Sequence, residues 1–549
     1  MALDRRDGAI LAALCAAAAL YAATLVVWAP HPFEDAAILM RYSQHVAEGH
    51  GVVWNVGGKP VDGATDFLFM MLVAGLARCG LGVGVAVRLL GVVSHFLSVA
   101  LVYVAVRRLH GSMRWMAALS AAYLAVGPGL RYASAYFGTP FFALFACAAW
   151  CLAWRLADVA TRGPRVADGW HASRVPYKES QRTALLFALC GLVMGLIRPE
   201  GVFLAAFMLA AVVYMRGLRA SRVAIAWFVL VFAVLGGAYF IWRWWYFGHP
   251  LPNPFYKKGG GALYWGGLRS AIQGALRFNL PFALPFIAAF RSRATARKAA
   301  FALIPIAGFV GLWVLLSDAM NYAWRFQYAV MPVVLVSWPP LVAGVFGEWR
   351  LPRFGGLDRR SRATLAVLGG IVFLWVLVYN HRMSRLPIRF GDGNYQVAVM
   401  LSDYRSKGYT MAVSEAGLLP FYSGWRAVDT WGLNDPWIAH HGGITDAYLR
   451  EHRPELIMFH AYFSPITKPA VNNEWDEMVM RLKDYAERNN YILAADFGET
   501  PNDTFFYYVR PDFPDSVAII RRIRETDYTW MSTGVRCVNY ALLRPAPLP

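Results

Sequence analysis

The residues best equipped for chemistry cluster in a short stretch behind the first apolar run. Phe33-Glu34-Asp35-Ala36 opens it, and Glu48, Asp62 and Asp66 follow before Phe67. Adjacent carboxylates raise each other's pKa, which suits one of them to take a proton from a hydroxyl. The same residues have an ordinary reading, as the acidic first turn of a helix over 35–48, favoured by its dipole. Cations complement them: Arg198 in Arg198-Pro199-Glu200-Gly201, Lys257 and Lys258 closing Leu251-Pro252-Asn253-Pro254-Phe255-Tyr256, and Arg325 after Asp318. Cations converging at a lipid–water boundary would suit a phosphate carried on a lipid. Each also has a plain use: Arg198 can pair with Glu200, Arg325 with Asp318, and the lysines can snorkel. Of the nearby aromatics, Trp242, Trp244, Trp245, Tyr246 and Phe255 read as interfacial belt residues, and Tyr256 as a candidate to line a sugar site.

The elements that must position these groups are membrane helices. Of the 549 residues, 58% are hydrophobic and only 16% charged, a composition that a soluble globule would carry only with large apolar patches on its surface. Spans of about 20 apolar residues are read at 8–29, 83–106, 115–130, 137–154, 183–197, 200–215, 223–246, 268–290, 299–316, 328–347 and 363–380. The pair flanking Arg198 forms a hairpin with a polar tip, and the short apolar run 67–77 reads as a helix lying in the interface. The fold class expected is therefore a polytopic α-helical membrane protein with eleven spans over 1–384, its first external loop at 30–82. Met1–Pro30 has the paired arginines of a secretory leader, but its apolar run is long for one.

The net charge of +19 divides unevenly: residues 1–384 hold 36 Lys/Arg against 14 Asp/Glu, and residues 385–549 hold 17 against 20. The excess falls in loops such as 107–114, 155–182, 216–222, 291–298 and 350–362, which places those loops and the N-terminus in the cytosol. The charge is thus a topology signal and a contact for anionic headgroups, with no need for nucleic acid. Beyond Asn380 short strand-like runs (410–413, 426–430, 455–459, 492–497, 505–509) alternate with polar helices (395–406, 445–452, 475–488), which reads as an extracytoplasmic α/β domain over 385–549. Its single cysteine, Cys537, leaves that domain no internal disulfide.

An ordered set of motifs resembles one family. Glu34-Asp35-Ala36-(x4)-Arg41-Tyr42, Ala47-Glu48-Gly49-His50-Gly51 through Trp54-Asn55, and Val61-Asp62-Gly63 resemble the first external loop of GT-C glycosyltransferases, in particular the membrane arabinofuranosyltransferases that add terminal sugars to cell-wall arabinan. Arg198-Pro199-Glu200-Gly201, Tyr246-(x)-Gly248-(x2)-Leu251-Pro252-Asn253-(x2)-Tyr256-(x)-Lys258, Asp318 with Arg325-Phe326, Glu415-Ala416-Gly417 and Asp429-(x2)-Gly432-Leu433-Asn434-Asp435 continue it to about residue 440. The stretch from Ala86-Val87-Arg88-Leu89 to Arg107-Arg108-Leu109 also looks like the second span of related aminoarabinose and mannosyl transferases.

The resemblance implies an inverting transfer from a polyprenyl-phosphate sugar to an acceptor hydroxyl of a glycan, lipid or protein, at the outer face of a bacterial cytoplasmic membrane. It implies Asp35 as the base with Glu34 in support, the phosphate held by Arg198, Lys257, Lys258 and Arg325, and substrate met by Arg41, Tyr42, Asn55, Glu200, Asn253, Tyr256 and Asp318. The chain departs from the family at Glu34, where Asp-Asp is common, and at Tyr136-Phe137-Gly138-Thr139, where many relatives have Gly-x-Glu-Thr. The residues leave two options for the phosphate charge: carboxylates beside it could hold Mg²⁺ or Mn²⁺, or the cations above could neutralise it without a metal. A flippase of lipid-linked sugar and a non-catalytic assembly subunit are the alternatives. The gathering of polar residues at one edge, without internal repeats, speaks against a transporter.

Overall fold

The computed structural model describes residues 3–111, 114–158, 177–258, 263–317, 320–345, 359–385 and 390–543. Helix occupies all eleven segments expected to cross the membrane. Among the described residues seven helices are long and apolar enough to cross on their own: Arg5–Thr24, Val83–His110, Thr139–Asp158, Ser180–Ile197, Arg222–Phe247, Arg293–Leu312 and Tyr322–Val345. Others are interrupted for local reasons. Pro281 and Pro285 split 265–288 into an α-helix, a 3₁₀ turn and a short helix, and Pro128 separates Arg114–Ala125 from Gly129–Ser134. The helix Arg222–Phe247 carries a π turn at Phe232–Gly236 and leaves Leu230, Val234, Ile241 and Trp245 exposed, an apolar surface suited to lipid.

Four helices frame the site: α1 (Arg5–Thr24), α2 (Glu34–Ala47), α3 (Phe67–Arg78) and α4 (Val83–His110). The first is capped by Asp4 and Asp7 in a reciprocal box. Asp7 then accepts from Arg107 Nε (2.8 Å) and Tyr103 (3.0 Å) of α4. A buried carboxylate needs such partners, and they lock one end of the bundle. Some 28 residues along α4, roughly 40 Å at 1.5 Å per residue, its other end meets α2 and the loop 30–66. The third helix, at 12 residues, is too short to cross a bilayer.

The C-terminal part is a six-stranded mixed sheet in the order β2-β1-β3-β5-β4-β6, from β1 (Thr410–Val413), β2 (Arg426–Asp429), β3 (Leu456–Ala461), β4 (Ile492–Thr500), β5 (Asp503–Val509) and β6 (Val538–Asn539). Parallel pairing joins β1 to β2 and β3, and antiparallel pairing joins the rest. Alternation along the strands sorts side chains to two faces. Ala412, Ile457, Phe459, Phe506 and Tyr508 pack under helix Glu474–Arg488. Met411, Val413, Met458 and Tyr507 instead join the same continuous core as the membrane helices.

The join is built around the first loop. Arg41, buried at 4% exposure, donates to the carbonyls of Trp54 (2.9 Å), Trp425 (2.9 Å) and Pro420 and to Asn55 Oδ1 (3.1 Å). Trp54 and Asn55 both donate to the carbonyl of Ala427 at 2.9 Å, and Tyr42 donates to Asn434 at 3.0 Å. Arg41, Tyr42 and Asn55 are thus committed to holding the sheet domain on α2. Replacing Arg41 with Ala would strand the carbonyls of Trp54 and Trp425 in a dry interface, since Asn55 Oδ1 and the Pro420 carbonyl keep the N–H groups of Ala427 and Gly424, a loss of about 3 kcal/mol. Hydrogen exchange of the 410–430 backbone should accelerate in that variant and its melting temperature fall; unchanged protection there would contradict this role.

Candidate active site

Asp35 stands in the first turn of α2, where the helix dipole favours a carboxylate. Consecutive helical residues point about 100° apart, so Glu34 and Asp35 face different surroundings. Asp35 lines a cavity of about 420 Å³ shared with Asp66, Arg198, Glu200 and Arg325, walled by Leu39, Phe137, Phe203, Leu251, Trp313 and Phe326. Glu34 turns to the sheet domain, its Oε1 accepting from the backbone N–H of Gly417 (2.5 Å) and Leu418 (3.0 Å).

The two arginines arrive by separate routes. Arg198 sits at the tip between helices Tyr177–Ile197 and Glu200–Arg216. Gly201 makes that tip possible, because a Cβ there would fall 2.4 Å from the Met194 carbonyl oxygen. Arg325 follows a turn in which Met320 (φ 67°), Ala323 (φ 51°) and Trp324 (φ 56°) are all left-handed, a conformation costing side-chain-bearing residues about 1–3 kcal/mol each. Tyr132 donating to the Ala323 carbonyl (2.7 Å) and Arg277 lying 4.4 Å over the Trp324 ring hold the turn.

Within the cavity Arg325 Nη2 donates to Asp35 Oδ2 at 2.5 Å, Arg198 Nη1 to Asp66 Oδ1 at 2.9 Å, and Arg198 Nε to Glu200 Oε1 at 2.6 Å. Phe326, stacked on Trp313 at 4.9 Å, has both guanidiniums near its ring, Arg198 at 4.5 Å and Arg325 at 4.9 Å, and Arg325 also covers Phe137 at 4.1 Å. Burial raises the pKa of Asp66 against the pull of Arg198 and Arg325. Three carboxylates thus face two guanidiniums in a largely dry site, where charge interactions are strong.

Several other candidates are elsewhere. Lys257 pairs with Glu474 (3.1 Å) and lies 4.1 Å over Trp431, so it anchors the strap 249–258 to the sheet domain. Tyr256 packs on His440 at 4.3 Å in the same strap. Asn253 is buried, its N–H donating to the Asp62 carbonyl at 3.0 Å, and Pro252, Pro254 and Phe255 around it do line the cavity. Lys258 closes the short helix Asn253–Lys258, while Asp318 lies outside the described residues. Sequence reasoning assigned no role to Asp66, although it counted among the loop's acids, and passed over Arg243, which pairs with Asp62 at 2.5 Å. A lone arginine in an apolar span was the available signal for the latter.

Asp35, Asp66 and Glu200 are each paired with an arginine, and among the described residues there is no group of three or more His, Cys, Asp or Glu side chains that could hold a metal ion.

The bundle, the loop folded onto it and the appended α/β domain define a multi-pass membrane protein whose fold is shared with solved structures. One of these is ArnT from Cupriavidus metallidurans in its apo state, 14% identical with a TM-score of 0.57 over 90% of this chain and 97% of that one. ArnT bound to undecaprenyl phosphate overlaps at 0.51, 12% identical over the same shares. The arabinofuranosyltransferase AftD from Mycobacteria (mutant R1389S) overlaps at 0.48, 15% identical over 94% of this chain and 42% of its own. Residues 385–519 match a family described as a domain of unknown function, DUF8728. No protein of curated function matches the sequence.

Behind Glu34 the sheet domain carries its own ionic cluster. Burial alone would depress His460, but its contacts with Asp503 (2.6 Å) and Glu415 (3.5 Å) more than offset that and push it up to about 9. Burial, then the charges of Glu415 and Asp392, hold Glu34 well above the usual carboxylate range, and burial lifts Asp392 to about 6. All three shifts favour the protonated form in the folded state, so stability falls as pH rises. The His460 share is complete below its ordinary value near 6.5 and is lost as pH climbs through about 9. The melting temperature of the wild type should decline over that window and His460→Gln should flatten the decline; a wild-type rise would contradict it.

Proposed function

We propose that the chain is an inverting glycosyltransferase that moves a sugar from a polyprenyl-phosphate donor to an acceptor hydroxyl, with Asp35 as the base. The observation that carries the reading is the Asp35–Arg325 pair facing a second arginine, Arg198, in one apolar-walled cavity. An empty cavity needs Arg325 paired, and Asp35 meets that need. A donor phosphate entering between Arg325 and Arg198 competes for the same guanidinium N–H groups. The exchange frees the Asp35 carboxylate for the acceptor hydroxyl.

In the reaction Asp35 takes the hydroxyl proton, the acceptor oxygen bonds to the anomeric carbon from the face opposite the phosphate, and the carbon–oxygen bond to phosphate breaks. The polyprenyl phosphate leaves carrying the electron pair, its added charge met by Arg325 and Arg198. Glu200 and Asp66 keep Arg198 oriented. No step calls for a metal. Arabinofuranose is the first sugar to test, and the site opens on the outer side of a bacterial cytoplasmic membrane whose cytosolic face carries the basic loops.

The test is transfer by purified protein in lipid from a radiolabelled decaprenyl-phosphoryl arabinofuranose. Asp35→Asn should lower turnover by about 10²–10⁴-fold while the protein still binds the donor. Arg325→Ala should instead weaken donor binding and slow transfer together. Full turnover by Asp35→Asn would overturn the mechanism.

A further inference from the structure

A second cavity abuts the Asp35 site and has no part in the chemistry above. It measures about 580 Å³ and is bounded by α2, the turn from α3 into α4, Tyr136 and helix Leu418–Ser423 of the sheet domain. Tyr136 lines both cavities. Along α2, Ala36 faces the Asp35 site while Met40, Gln44 and Glu48 face the second cavity. Those four residues recur every fourth position, so they form one stripe of the helix, about 18 Å long at 1.5 Å per residue. The stripe joins the two cavities, and Tyr136 marks the seam.

That tyrosine is fixed with unusual care. Its φ of 66° is left-handed, which a side-chain-bearing residue rarely adopts. Arg88 lies 4.2 Å over its ring, and Gly84 opposite leaves room where a Cβ would come within 3.2 Å of it. A ring held off its relaxed backbone at a junction between cavities signals a positioned surface.

The lining has the chemistry of a carbohydrate site. The half-buried rings of Phe421 and Tyr422 offer apolar faces against which the C–H side of a sugar packs, with buried Tyr136 closing the inner end of the wall. Gln44 donates to Glu48 at 2.8 Å; the Gln44 amide keeps a donor and an acceptor for hydroxyls, the Glu48 carboxylate offers acceptors and the exposed Arg78 guanidinium offers donors. A lipid tail along this wall would have to cover Glu48 and Arg78, which is costly.

We propose that this groove binds an extended carbohydrate chain, the acceptor, whose terminal residue passes Tyr136 to reach Asp35. The direction of that chain rests on the glycosyl-transfer reading; its binding does not. The test titrates full-length protein in nanodiscs with arabinofuranose and mannose oligosaccharides, from disaccharide to hexasaccharide, and separately with undecaprenyl phosphate. One oligosaccharide series should bind, tightening about tenfold with length. Tyr422→Ala and Glu48→Gln should each remove that gain and leave undecaprenyl phosphate affinity within about twofold. Affinity independent of length, a gain that survives both variants, or no binding in either series would overturn the groove. Length-dependent binding by a wild type that transfers no sugar would overturn the transferase reading and leave the groove standing.

Discussion

Two arginines brought close together at one end of a helix bundle govern this architecture. Arg198 and Arg325 are largely removed from water, and like charges in a weakly screening site repel strongly. Each therefore requires a carboxylate, and the acids come from different parts of the chain: Asp35 from the start of α2, Asp66 from the approach to α3, and Glu200 from the hairpin tip. The Phe326 ring lies within cation–π distance of both guanidiniums. The need to supply those acids is what folds the loop 30–66 back across the bundle.

Once that loop is folded back, the sheet domain has a surface to dock on. Arg41, Tyr42, Trp54 and Asn55 spend their hydrogen bonds on its backbone and on Asn434, and Glu34 receives two of its N–H groups. The division of labour between neighbours Glu34 and Asp35 follows from helical geometry alone. One carboxylate assembles the domain and the other enters the cavity. The same ion pair makes the site exchangeable, because a guanidinium satisfied by a carboxylate can be satisfied as well by a phosphate.

Much of this was legible beforehand, for identifiable reasons. Long apolar runs left little choice about the membrane helices, and short apolar runs between polar helices marked five of the six strands. The two-residue β6 and the short helices Leu418–Ser423, Pro436–His440 and Ser516–Arg524 lie outside the runs marked in the sequence, although the Asp435-Pro436 cap and the amphipathic face of Ser516–Arg524 are local signals for two of them. In the site, acids and arginines far apart in sequence were recognisable because charge is scarce in such a chain. The Arg198–Glu200 pair is also legible, from the two-residue spacing, whereas no sequence signal links Arg325 to Asp35; the left-handed turn at Ala323-Trp324 that leads into Arg325 is a feature of the fold. Arg41, Tyr42 and Asn55 lie in the same motif as the catalytic candidate, and spacing cannot distinguish a residue that holds substrate from one that holds a neighbouring domain.

The central claim is that donor phosphate and Asp35 share Arg325. A structure of the full chain in lipid, determined by electron cryomicroscopy with undecaprenyl phosphate bound, tests it most directly. The account predicts the phosphate between Arg325 and Arg198, with Arg325 released from Asp35. Phosphate bound elsewhere with the Asp35–Arg325 pair intact would contradict it.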